Sequence, residues 1–285
     1  GFLNQSPKKY DVLIISHLVS EDHLNLKDDF YFGNLPIEIH KRDKKCLVLQ
    51  INHTKLSYKE FSNRKVNKEF QRIIFPSKIS LLKELKMFFE TLKVSFYLRR
   101  GTSKAKSLFE KKFFQQAARA ALSFESLSAI RFVNQLSMLL EHTQPKVIIT
   151  TMEGHSWERL AYYYAKQILP NIKCVGYQHA ILFPRQHSIK RQLKNNLDPD
   201  IIFTTGLHTK KILEESYKNH HKVKIECIGT HRRIIKNSED DFTSKKNNPA
   251  CLVLPDGNPL ETMRICEFIL DLSKKLPDIN FIIRF

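Results

Sequence analysis

The sequence predicts an α/β fold, a parallel sheet with helices on both faces, followed by the start of a second α/β unit. Three observations carry this expectation. Short, uncharged apolar runs read as strands buried on both faces, the first being DVLIIS at 11–16. From residue 147 onward such runs alternate with stretches of helical periodicity, the pattern of a parallel sheet crossed by helices. A polar stretch at 236–249 (KNSEDDFTSKKNNP), nearly devoid of apolar residues, then separates this array from one more strand, helix and strand. The expected domains are therefore 1–235, a linker at 236–249, and an incomplete second domain at 250–285.

In chain order, the strand at 11–16 is followed by CLVLQI at 46–51 and a short third strand at 72–75. Helices are expected at about 80–99, 105–122 and 124–142, the last two divided at Ser123. Strands at 147–151, 173–178, 200–204 and 224–228 then alternate with helices at 156–169 and 209–219. Beyond the linker come a strand at 251–254, a helix at 259–275 and a strand at 279–283. A βαβ unit of this size buries little surface alone, and the chain is expected to stop within its second domain.

Charge narrows the partners. The formal net charge is +18, and residues 41–112 alone hold 20 Lys or Arg against 6 Asp or Glu. Such an excess suits phosphate, nucleic acid or an anionic membrane. Within this region Leu81, Leu85, Phe88, Leu92 and Phe96 recur at helical spacing, beside Lys83, Lys86, Lys93, Arg99 and Arg100. The first expectation is that this apolar stripe packs on the domain; the other is that residues 80–100 lie on an anionic membrane. No apolar run is long enough to span a bilayer, and the first residues lack the apolar core of a signal peptide. Five scattered cysteines fit a reducing cytoplasm, with Cys174, Cys227 and Cys251 expected as buried thiols; no zinc spacing or other cofactor motif occurs.

Ligands of open parallel sheets bind at the carboxyl ends of the strands. At one such end stands Thr151-Met152-Glu153-Gly154-His155-Ser156-Trp157-Glu158-Arg159. Glu153 is placed to act as a general base, Gly154 to admit a close backbone, and the helix N-terminus to offer N–H groups to an anion. Ser156 is expected as the helix cap, Trp157 in the core, and Glu158 and Arg159 as solvent-exposed. At a second end, Gly176-Tyr177-Gln178-His179 offers donors for sugar hydroxyls or phosphate, and Arg185 follows in a basic loop. His231 and Arg232 follow Gly229 after a later strand. Asp256, Gly257 and Asn258 form a βα turn able to admit a phosphate, or an ordinary turn with Pro259 opening the helix. GxGxxG, Walker A, GxSxG and protein-kinase motifs are absent.

DVLIISHLV, IITTMEGHSWERLA, CVGYQHA with Pro184, and LVLPDGNPLET through LPDINFIIRF together resemble bacterial surface-carbohydrate biosynthesis proteins of the two-domain GT-B glycosyltransferase type. The resemblance implies two Rossmann-like domains, the first taking a glycan or lipid-linked acceptor and the second a nucleotide-sugar donor. It implies no cofactor and no nucleic-acid partner, and a cytoplasmic place, peripheral at the inner face of the plasma membrane. Met152-Glu153-Gly154 is similar to the acidic-acidic-Gly motif of sialyl- and Kdo-type transferases, whose acid is the base, with Met replacing one acid. Glu153 and His179 are thus the expected catalytic residues. Gly154, His155, Gln178, Arg185, His231 and Arg232 are expected on substrate, and Asp256, Gly257 and Asn258 on nucleotide. The chain ends where those families carry a phosphate-binding His-Pro pair, which implies that this stretch alone is inactive. The alternatives are a sugar-nucleotide epimerase of the same fold and, from the charge, a basic nucleic-acid-binding protein.

Overall fold

The computed structural model describes residues 9–64, 70–76, 79–183, 185–193, 196–218, 223–230, 249–255 and 258–284. It divides into two compact units, Gly1–Arg233 and Ile234–Phe285.

The first unit is built on seven strands, all parallel: β1 (Val12–Leu18), β2 (Cys46–Asn52), β3 (Gln71–Ile74), β4 (Val147–Thr151), β5 (Lys173–Gln178), β6 (Ile201–Thr204) and β7 (Lys224–Cys227). Their spatial order is β3-β2-β1-β4-β5-β6-β7, a Rossmann-like arrangement. The chain first works outward from β1 to β3. It then returns through three helices to lay β4 on the other side of β1, with Val12 opposite Val147.

Side chains alternate between the two faces of a strand, which explains two separate cores. Leu13 and Ile15 of β1, with Leu47 and Leu49 of β2, point to a face covered by α5 (Phe124–Thr143), α6 (Ser156–Ile168) and α7 (Leu207–Ser216). Leu136, Leu139 and Leu140 of α5 and Ala161, Tyr162 and Ala165 of α6 are buried there. Ile14 and Val48 point to the other face, where Phe32, Phe70 and α1 (Leu35–Lys41) pack. Helices therefore lie on both faces, as the apolar runs predict.

Two short helices lie outside the sequence expectation: α1, seven residues opening with Pro36 near its start, and α2 (Tyr58–Asn63), six residues held by a Ser57–Glu60 capping box. Helices this short are not stable by propensity and show no periodic signature. The expected packing of the 80–99 helix is corrected. In α3 (Leu81–Gly101) the buried line is Met87, Thr91 and Ser95, while Leu81, Leu85, Phe88 and Phe96 are exposed. The reason is its partner, α4 (Leu108–Ala120). Ser95 Oγ donates to the Ala118 carbonyl at 2.8 Å, and the Phe114 ring lies against Gly101, so small residues set the close approach and the large ones are left outside.

In the second unit, β8 (Ala250–Val253) pairs in parallel with β9 (Asn280–Ile283) across α8 (Pro259–Lys275). Among its described residues, Val253 and Ile269 are the buried apolar ones. Cys251 is consequently exposed and Cys227 of β7 only half-buried, correcting the expectation of buried thiols; Cys174 and Cys46 are buried.

Candidate functional site

The carboxyl ends of β1 and β4 meet at the topological switch point, where the chain departs in opposite directions and leaves a crevice. β5 adds the next strand end. The apolar runs of β1, β4 and β5 each give way here to polar residues: His17, Thr151-Met152-Glu153 and Gln178-His179.

His17 bridges two strands. Its Nε2 lies 3.0 Å from Thr151 Oγ1 on β4, and its Nδ1 lies 2.9 Å from Nε2 of His53, just past β2. Burial, reinforced by the imidazoles of His53 and His179, pushes the His17 pKa down to about 4, so this ring is neutral near pH 7. Tyr31 packs edge-on to both His17 and His179, with ring centroids 5.3 and 4.9 Å away. The Tyr31 loop is itself pinned. Asp29 accepts from the Tyr31 and Phe32 amides and from Ser16 Oγ of β1, and Arg72 of β3 donates to the carbonyls of Leu24, Leu26 and Asp28.

Glu153 leaves β4 into a turn between two imidazoles. His155 Nε2 is 3.1 Å from its Oε2, and His179 Nε2 is 3.4 Å from its Oε1. The hydrogen bond from His155 leads in holding the Glu153 carboxyl below the usual range, against a partial burial that acts the other way. The same bond raises the His155 pKa. Glu153 is therefore ionised at neutral pH, and the His179 side chain is only 6% exposed.

The turn is held by Glu158, which corrects the expectation that this residue is exposed: it is 0% exposed. Its carboxylate accepts from the backbone amides of Glu153, Gly154 and His155, at 3.1, 2.7 and 2.8 Å. These amides, Gly154's included, are thus spoken for and do not offer themselves to an anion. The N-cap of α6 is His155 rather than Ser156. Burial pushes the Glu158 pKa up to about 7, opposed by His155 and the three amides.

Arg159 is also buried, at 4% exposure, where the sequence led to a solvated charge. It pairs with Asp198 and donates to the carbonyls of Ser188 and Arg191 at 3.2 and 3.0 Å. The loop after β5 is thereby drawn onto the Glu153 turn, where Ser188 Oγ donates to the Glu153 carbonyl at 2.9 Å. Gly154 takes φ +85° against the Ser188–Ile189 backbone, a conformation and an approach that only glycine accepts readily.

A cavity of about 360 Å³ opens beside this cluster. His17, His53, Glu125, Ser128, His155 and Ser156 form its polar side; Ile51, Phe124, Phe132 and Trp157 form an apolar side. Trp157, expected in the core, packs half-buried against it while lining the cavity, and meets the His17 and Phe132 rings edge-on.

Of the residues expected at the site, Glu153, Gly154, His155 and His179 are brought together. Gln178 is buried, its Nε2 donating to the Ala180 carbonyl. This turns its amide into its own loop and away from the role of an open donor. Arg185 lies exposed on the loop after β5. Asn258 caps α8, its Oδ1 accepting from the Leu260 amide at 3.1 Å, as in the ordinary-turn alternative. His231, Arg232, Asp256 and Gly257 lie outside the described residues. His17 and His53 escaped the sequence reading, although the strand-end rule that found Glu153 and His179 would have found His17 had it been applied to β1. Glu158 had its own signal, an acid at the third position of a helix, where capping boxes place it.

No protein-family model matches the chain, and no curated protein matches it. Solved structures similar to it include these two. One is described as the glycotransferase of kitacinnamycin, at 10% identity and a TM-score of 0.44, with 98% of this chain and 66% of that one covered. The other is Arabidopsis thaliana UGT89C1 complexed with UDP-L-rhamnose, at 12% identity and a TM-score of 0.46, with 97% of this chain and 64% of that one covered. The chain therefore spans slightly less than two thirds of either structure's length.

Proposed function

We propose that the protein is a glycosyltransferase, with the first unit, as residues 1–235, binding the acceptor. Residues 250–285 then belong to the domain that takes a nucleotide-sugar donor. The observation that carries this reading is the Glu153 carboxylate, ionised and clamped between His155 and His179 at the switch point, beside a cavity with one polar and one apolar wall.

In this reading the acceptor hydroxyl lies against Glu153. Its oxygen forms a bond to the anomeric carbon of the donor as the bond from that carbon to the nucleotide phosphate breaks. The proton passes to Glu153 and the electron pair leaves with the phosphate. His155 and His179 fix the carboxylate's rotamer and keep it in the proton-accepting form. The polar wall of His17, His53 and Ser156 suits sugar hydroxyls. The apolar wall of Phe124, Phe132 and Trp157 suits an acceptor carried on a lipid. With the sequence resemblance, this supports a role in assembling a surface glycan such as capsule or O-antigen, at the cytoplasmic face of the membrane.

The test is Glu153→Gln, assayed for sugar transfer from nucleotide-sugar donors to a lipid-linked acceptor. A fall in turnover of about 10²–10⁴-fold with unchanged folding is expected. Undiminished turnover would remove Glu153 from the mechanism.

A further inference from the structure

The α3–α4 hairpin is an unusual surface. Small residues join its two helices, with Ser95 bonded to the Ala118 carbonyl and Gly101 against the Phe114 ring. Its base is fixed to the sheet unit by the Glu84–Arg131 ion pair at 2.6 Å, between α3 and α5. Its far end presents Phe96, Tyr97, Leu108, Phe109 and Phe113 to solvent, Phe109 at 79% exposure. Between residues 96 and 113 stand Arg99, Arg100, Lys104, Lys106, Lys111 and Lys112, with Glu110 the one acid. Arg100 lies 4.4 Å over the Phe96 ring and Lys93 6.0 Å from Tyr97, so cations and rings share one surface.

We propose that the end of the α3–α4 hairpin is a docking element for a bilayer containing anionic phospholipids. The aromatic and leucine side chains enter the headgroup boundary while the flanking cations meet lipid phosphates. The mixture of groups selects this occupant. A nucleic acid would satisfy the cations but leave Leu108, Phe109 and Phe113 without an apolar environment. A second copy of the chain would bring the same positive charge to the same face. An anionic bilayer supplies both hydrocarbon and negative charge. No helix among the described residues is long and apolar enough to cross a membrane, so the contact is interfacial.

The inference stands apart from the transferase reading, because its readout is binding alone. The 285-residue chain is co-sedimented with vesicles of phosphatidylcholine, with and without phosphatidylglycerol. Partitioning is expected to be at least about tenfold stronger with phosphatidylglycerol and to weaken with added salt. The double variants Phe109→Ser/Phe113→Ser and Lys111→Glu/Lys112→Glu alter exposed side chains, and circular dichroism verifies their folding. Each is expected to lower partitioning about tenfold. Equal binding to both vesicle types, no binding to either, or wild-type binding by the Phe109→Ser/Phe113→Ser variant would overturn the proposal. So would a self-association, or an RNA complex that displaces the vesicles, abolished by the same substitutions.

Discussion

Replacing Glu158 with Ala removes one buried carboxylate and strands three donors. The amides of Glu153, Gly154 and His155 then lose their acceptor inside the turn. A buried donor left unsatisfied costs about 1–3 kcal/mol. These three are partly buried, so the lower half of that range applies, about 3–6 kcal/mol together. Loss of a carboxylate that burial disfavours offsets part of this, leaving a net cost of about 3 kcal/mol. Against the 5–15 kcal/mol typical of a folded domain, that is a large share. Urea unfolding followed by circular dichroism should show a midpoint about 1–2 M lower with the slope unchanged. Glu158→Gln, which keeps an acceptor oxygen, should lose about half as much. The pH dependence gives a second check. Because the Glu158 pKa rises on folding, from 4.5 to about 7, its contribution is complete below pH 4.5 and is lost as pH climbs toward 7. Glu158→Gln lacks that slope. An Ala variant within 0.5 kcal/mol of wild type, or parallel pH profiles for wild type and Glu158→Gln, would refute the capping role.

Other predictions concern the same cluster. His17 titrates in the opposite sense: its pKa falls from 6.5 to about 4 on folding, so its contribution is present above pH 6.5 and is lost as pH drops toward 4. Urea midpoints of wild type should therefore fall more steeply over that window than those of His17→Asn. His155 should titrate above its ordinary value of 6.5, and Glu153→Gln should bring it down, as read by NMR of the ring. Arg159→Met takes the guanidinium partner from buried Asp198, which keeps the Leu193 amide, and should cost about 3–5 kcal/mol, part of it recovered in Arg159→Met/Asp198→Leu. In Gly154→Ala the new Cβ would collide with the Ser188–Ile189 backbone, so tryptic cleavage at Lys190 and Arg191 should accelerate as the loop is displaced.

The strands were legible because a strand buried on both faces must be an uninterrupted apolar run, and β1, β2, β4 and β5 are such runs. The position of Glu153 and His179 followed from the rule that parallel strands present ligand sites at one end. Glu158 and Arg159 misled because an isolated charge in a helix is normally solvated. Arg159 is buried because Asp198, 39 residues further on, meets it, a pairing that no local pattern encodes. α3 misled in the reverse way. Its leucines and phenylalanines have core spacing, but helix approach there is governed by Thr91, Ser95 and Gly101, whose small size is inconspicuous in a hydropathy pattern.

The placement of β4 beside β1 has a temporal meaning. The two strands that build the His17–Thr151 contact are separated by about 130 residues of chain, so their pairing is among the least local in the molecule. A ribosome adding about 5–20 residues per second leaves β1 without that neighbour for several seconds at least. The basic, aromatic hairpin lies within the intervening stretch and is assembled from contacts close in sequence. It can therefore form before the crevice does, and under the docking proposed above a nascent chain would reach a bilayer through the hairpin before β4 completes the crevice.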